Sequence, residues 1–155
     1  MAVTARLIGN VDGKSNSVTL QLPVANGVTV TAGDFVYFAS GKISSATITG
    51  DVRLIGQVQG TATGNATGTV KALVVVDPMA KYLIQADQAL TASNLGQYMD
   101  LTGASGAQKV LASTASATTG VMVCIDTAPG ISPVASDTTY GVYKIVEHAF
   151  SPLGS

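Results

Sequence analysis

The pattern that most constrains this chain is an alternation of apolar and polar residues with a period of two, broken at short intervals by turn-forming pairs. Val18, Leu20 and Leu22 alternate with Thr19 and Gln21, and Val28 and Val30 alternate with Thr29 and Thr31. Successive side chains of an extended chain point to opposite faces, so this alternation describes strands with one face buried; helical spacing fits the same residues poorly. Further runs rich in β-branched and aromatic residues lie at Phe35 to Ala39, Val52 to Gln59, Thr69 to Val76, Tyr82 to Ala86, Tyr98 to Leu101, Val121 to Asp126 and Tyr140 to Glu147. Between them sit Asp12-Gly13, Asn26-Gly27, Ala32-Gly33-Asp34, Ser40-Gly41-Lys42, Gly64-Asn65, Asp77-Pro78 and Gly103 to Gly106. Turns recurring this often predict an all-β fold, a small β-barrel or sandwich. Gln88 to Leu95, stopped by Gly96, is expected as one short connecting helix of about two turns.

Val74 to Val76 and Val121 to Ile125 are apolar at every position and are expected as central strands covered on both faces. A faint internal repeat runs through the chain. Gly33-Asp34-Phe35-Val36-Tyr37-Phe38 parallels Gly96-Gln97-Tyr98-Met99-Asp100-Leu101, and Lys42-Ile43 parallels Lys109-Val110. A polar stretch then leads to Leu54 to Val58 or Val121 to Ile125, and next to Val70 to Val74 or Val142 to Val146. The expected organisation is an N-terminal arm or hairpin over 1–23, with Asp12 to Asn16 as its tip, and a β-rich domain over 24–155. Within that domain the two similar β-subdomains are repeat halves 24–77 and 90–148.

Only 11% of the 155 residues are Asp, Glu, Lys or Arg, against about 25% in an ordinary globular domain. Thr, Ser, Ala and Gly must cover the surface instead. With a net charge of -1 and no cluster of Lys or Arg, neither nucleic acid nor an anionic membrane is an expected partner. Met1 to Leu7 has no apolar core of signal-peptide length, and no later stretch reaches about 18 consecutive apolar residues. Ser151 to Ser155 carries no weight here. The single cysteine, Cys124, excludes an internal disulfide and reads as an inert buried thiol among Val121, Met122, Val123 and Ile125; it fits the cytosol and a virion equally well.

Acid–base catalysis needs a tunable titratable group and a partner to position it. The one histidine, His148, adjoins the one glutamate, Glu147, and a triad would recruit Asp126; yet Gly103-Ala104-Ser105-Gly106 lacks the spacing of a nucleophile elbow. His148 is expected at the surface, at the end of the last strand. Ser40-Gly41-Lys42-Ile43 lacks both the first glycine and the hydroxyl of a phosphate-binding loop and reads as a hairpin turn. The aspartates, Asp12, Asp34, Asp51, Asp77, Asp87, Asp100, Asp126 and Asp137, are scattered singly, so the one metal alternative is a calcium site assembled from distant loops. Asn65-Ala66-Thr67 matches a glycosylation sequon that matters only in a eukaryotic secretory setting. There is no Trp for a sugar platform; Tyr140 and Tyr143, on opposite faces of one strand, leave at least one ring to meet solvent or a partner. No catalytic, cofactor-binding or metal-binding residue is assigned, no cofactor is expected, and the chain is not expected to be an enzyme.

One resemblance remains. Ala32-Gly33-Asp34-Phe35-Val36-Tyr37, Gly41-Lys42-Ile43, Leu54-Ile55-Gly56-Gln57-Val58 and Gly68-Thr69-Val70-Lys71-Ala72-Leu73-Val74 resemble the core of small bacteriophage head-decoration proteins, and Asp77-Pro78-Met79 to Asp87, ahead of Leu95-Gly96 and Asp100-Leu101, resembles virion proteins of the same kind. The resemblance spans roughly residues 24 to 126. It implies a capsid cement protein, commonly a homotrimer, whose partner is the major capsid protein and whose place is the outer capsid surface of a virion. No capsid-binding arm can be matched residue by residue. The alternatives are a phage tail or head-fibre component, or a cell-surface adhesion or carbohydrate-binding module.

Overall fold

The alternating runs become strands and the turn pairs reverse the chain in a computed structural model that describes residues 5–14, 16–46, 53–130, 136–146, 148 and 149. Asp51, Val52, Glu147 and Ser151 to Ser155 lie outside the described residues, as do Met1 to Thr4 and Ser15 of the expected arm. The strands are β1 (Ala5–Asn10), β2 (Thr19–Pro23), β3 (Thr29–Val30), β4 (Phe35–Ala39), β5 (Lys42–Ser45), β6 (Leu54–Val58), β7 (Ala62–Thr63), β8 (Lys71–Val75), β9 (Ala80–Gln85), β10 (Tyr98–Met99), β11 (Leu101–Thr102), β12 (Lys109–Val110), β13 (Met122–Asp126) and β14 (Tyr140–Ile145).

The fold is all-β. Two five-stranded sheets run in the orders β2-β8-β6-β4-β5 and β1-β9-β14-β13-β10, with two small pairs, β11-β12 and β3-β7, beside them. Every neighbouring pair is antiparallel. Among the described residues neither sheet closes into a barrel, but the two ends of the first sheet touch, and the second sheet touches the β11-β12 pair. Val24, just past β2, meets Ile43 of β5 at a parallel bridge, and Ala86, just past β9, meets Val110 of β12 in the same way.

Those paired bridges belong to a wider correspondence. Phe35 faces Gln57 and Gln57 faces Val75 across β4, β6 and β8; Tyr98 faces Val123 and Val123 faces Lys144 across β10, β13 and β14. Leu20 faces Val74 as Tyr82 faces Tyr143, and Pro23 faces Lys71 as Gln85 faces Tyr140. The turns match as well: the Gly33 N–H donates to Val58 and the Gly96 N–H to Cys124, both at 2.8 Å. Two units of one topology and one register therefore follow each other along the chain. The correspondence begins earlier than the expected halves, at β2 and β9, and it sets β14 against β8 three residues away from the sequence pairing, with Lys71 rather than Gly68 in the place of Tyr140.

The units pack on a shared core in which Phe35, Leu54 and Val75 of the first meet Tyr82, Ile84 and Tyr143 of the second. The Phe35 ring meets that of Tyr82 edge to face, centroids 4.9 Å apart, an arrangement worth about 1 kcal/mol beyond its buried area. Val24, Val36, Ile43, Val58 and Val74 fill the first unit's own interior. Leu83, Tyr140 and Val142, with Ile8 of β1 against them, form a third, small cluster.

Several expectations change. Residues 5–10 and 19–23 do not pair with each other as a hairpin: β1 adds to β9 and β2 to β8, at the edges of different sheets. The helix expected over Gln88 to Leu95 shrinks to a single 3-10 turn, Ala92–Asn94, because the Leu90 N–H is drawn 2.8 Å to the Thr138 carbonyl instead of into a helical ladder. Val74 to Val76 is buried as expected, but a bulge between Cys124 and Asp126 turns Ile125 outward, 36% exposed. Of the alternating Val18, Leu20 and Leu22, only Leu22 is half-buried against the core; Val18 and Leu20 are 58% and 44% exposed.

Candidate functional site

Two buried polar side chains, Asp34 and Gln108, tie one unit to the other. Asp34 closes the turn between β3 and β4, where its Oδ2 accepts the Thr31 N–H at 2.9 Å. Its Oδ1 then reaches across to the loop between β11 and β12 and accepts the Gly106 N–H at 2.7 Å, while Oδ2 takes the Ser105 hydroxyl at 2.5 Å. A buried carboxylate holding backbone and hydroxyl donors in this way is a structural clamp, since its lone pairs are already committed.

Gln108 does the same from the second unit. Its Oε1 accepts the Phe35 N–H at 2.6 Å, and its Nε2 donates to Phe35 O at 3.1 Å and Ala46 O at 2.7 Å. The side chain thus binds β4 at Phe35, just beyond the pairing of β4 with β5. Asp77, after β8, fastens the chain leading into β2: its carboxylate accepts the Val18 N–H and the Asn10 amide, at 3.3 and 3.2 Å. Asp87 accepts the N–H groups of Ala112 and Ser113 and the Ser113 hydroxyl. None of these clamps was legible as a pair in the sequence, because each joins residues far apart along it.

The residues weighed for chemistry are not brought together. His148 is not at the surface: it is 1% exposed, and its backbone bridges Leu54 of β6. Burial of the ring pushes its pKa down to about 4, with the nearby Asp77 carboxylate opposing that shift. A ring held neutral there is packed beyond the end of β14, beside β6. Asp126 instead turns its carboxylate to the Ala128 N–H, 3.0 Å away. Cys124 is buried, and desolvation pushes its thiol up to about 11, as expected of an inert core cysteine. Tyr140 and Tyr143 are both buried, 3% and 0% exposed, so neither ring meets solvent; the outer face of β14 is covered by Ile8, which the sequence had left in an arm.

Among the described residues no group of three or more His, Cys, Asp or Glu stands close enough to hold a metal ion, and no helix is long and apolar enough to cross a membrane. Ser40-Gly41 is a two-residue hairpin turn between β4 and β5 with both φ angles positive, 51° and 77°. Asn65 of the sequon spends its side chain on its own turn, donating to the Thr69 hydroxyl at 2.8 Å and accepting the Thr69 N–H at 3.1 Å.

No family model matches the chain, and no curated protein matches it in sequence. What the molecule does present is surface. An open groove of about 710 Å³ runs between β1 and the first sheet, lined by Leu7, Ile8, Thr19, Leu73 and Val75 among others. Val18 and Leu20 stand out at one end of the molecule's edge strands, and Leu95, 57% exposed, stands with Ile125 at the turn of the second unit.

Proposed function

We propose that this chain is a structural virion protein that binds the outer surface of an icosahedral phage capsid and stabilises it, without enzymatic activity. The observation that carries this reading is a nearly uncharged surface on which large apolar side chains are left open. Val11, Val18, Leu20, Phe38, Leu73, Leu95 and Ile125 are all at least 36% exposed, in a chain only 11% of whose residues are charged. Surfaces that are to be covered by a permanent partner carry apolar residues and shed charge.

The residues behind the resemblance support it from a second direction. Gly33 and Asp34 form the β3–β4 turn and the clamp to the second unit, and Gly56 lies flat against β8, where an added Cβ would fall 1.6 Å from the Val75 carbonyl oxygen. They are positions that define this fold, as motif residues of a β-rich decoration protein would.

The mechanism is mass action. A protein that binds the assembled shell and not its separated subunits shifts the assembly equilibrium by RT ln(1 + [L]/Kd), and linked copies add avidity by raising each other's effective concentration. The test is to add the purified chain to expanded capsids that lack a decoration protein. Co-sedimentation with the shell, together with greater resistance to heat and chelators, is expected. Failure to co-sediment, or decorated and bare shells that fail under the same conditions, overturns the proposal.

A further inference from the structure

The two units of this chain meet head to tail, by unlike surfaces. The face of the first unit that carries Phe35 and Val75, in one row on either side of Gln57, lies against the second unit at Tyr82. Register assigns the counterparts of those residues. Tyr98 and Lys144 take the places of Phe35 and Val75 in the second unit, and Leu20 takes the place of Tyr82 in the first. Each half of the internal junction therefore has a counterpart elsewhere on the molecule, with Leu20 exposed and Tyr98 and Lys144 half-buried. Tyr82 is 0% exposed beneath Phe35, whereas Leu20 is 44% exposed with Val18 beside it. On the opposite surface, Leu95 and Ile125 flank the Tyr98 face and are exposed as well.

We propose that a second copy of this chain seats its Tyr98 face on the Leu20 end, repeating between chains the junction that joins the two units within one. The occupant follows from continuity: the surface complementary to the Leu20 end is already present on this chain, in the register the internal junction uses. Such contact is heterologous, since the two surfaces differ, and it closes into a ring if the rotation per step permits and continues as a filament if it does not. It does not depend on the virion reading.

The repeated junction is weaker than the internal one. Gln108, which binds the Phe35 backbone within the chain, has Gly41 as its counterpart, with no side chain to offer, and Lys144 stands where Val75 contributes an apolar contact. Association is therefore expected to depend on concentration, in the micromolar range or above.

Sedimentation velocity over about 1 to 500 µM tests this, a range matched to contacts of modest size. The unmodified chain is expected to form species larger than a monomer. Leu20→Lys blocks one surface and Tyr98→Lys the other, so each variant alone is expected to sediment as a monomer. Mixed in equal amounts they are expected to form a dimer and nothing larger, because one intact face of each kind remains. Ile125→Lys replaces Tyr98→Lys if the latter lowers the melting temperature. A chain monomeric throughout the range, self-association of either folded variant, or a mixture that stays monomeric overturns the proposal. Pairing of like surfaces, or coverage of both patches by a different protein alone, appears as one of those results.

Discussion

Replacing Gln108 by Ala removes a side chain that holds two units together through the Phe35 and Ala46 backbone and the Ser45 hydroxyl. In the folded protein Gln108 Oε1 accepts the Phe35 N–H at 2.6 Å, and Nε2 donates to Ala46 O at 2.7 Å and Phe35 O at 3.1 Å. The Phe35 carbonyl keeps a second donor, the Ala46 N–H at 3.0 Å, so its loss is small. The Phe35 N–H and the Ala46 carbonyl lose these bonds, and both residues are 0% exposed. Each buried group stranded in this way costs about 1–3 kcal/mol, which puts Gln108→Ala at about 3–4 kcal/mol. For a chain of this size each kcal/mol lowers Tm by about 2–4 °C, so a fall of about 10 °C is expected in a calorimetric or circular-dichroism melt at neutral pH. Gln108→Glu sharpens the test. It keeps the shape and the acceptor but turns a second carboxylate oxygen toward the two carbonyls, so it should be at least as unstable at pH 7. Its protonated form restores a donor, the folded-state pKa is raised, and stability should return as pH falls. A drop in Tm below about 3 °C for Gln108→Ala, under 1 kcal/mol, would refute the reasoning.

Gly56→Ala should prevent β6 from pairing with β8, because the glycine has φ +153° and its added Cβ would meet the Val75 carbonyl oxygen; a loss above about 3 kcal/mol is expected in chemical denaturation. His148 gives the protein an acid limb. Its folded pKa, about 4, lies below its usual 6.5, so the unfolded chain takes up the proton first and stability declines as pH falls from about 6.5 to 4, by about 2 kcal/mol once screening is allowed for. His148→Gln should flatten Tm against pH over that window relative to the unmodified chain. Ser40→Asn should raise Tm slightly, by about 0.5 kcal/mol of stability, because Ser40 sits at φ 51° in a two-residue turn that favours Asn-Gly.

The strands were legible because their signal is local: β4, β6, β8, β13 and β14 all fall within runs marked by β-branched and aromatic residues, and β9 starts two residues ahead of its run. The repeat was legible in outline for the same reason, since Gly33 and Gly96 occupy equivalent turns. What escaped depends on partners distant in sequence. β1 looks like an arm because its partner, β9, lies beyond the whole first sheet, and with β1 unplaced nothing could indicate that Ile8 covers Tyr140. His148 looked peripheral because it follows Lys144 and Glu147, yet its neighbour Arg53 donates to its carbonyl at 2.7 Å from another sheet. Asp34 and Gln108 are single polar residues in unremarkable turns until the units meet.

The position of β1 also orders events during synthesis. Every strand of the first sheet lies between Thr19 and Val75, so that sheet can be completed before any of β9 has left the ribosome. β1, made before that sheet, in contrast finds its partner only when Tyr82 arrives to pair with Leu7. It must wait, exposed, while the unit after it folds, and it is then laid across the newcomer as a clasp that fastens late to the second unit.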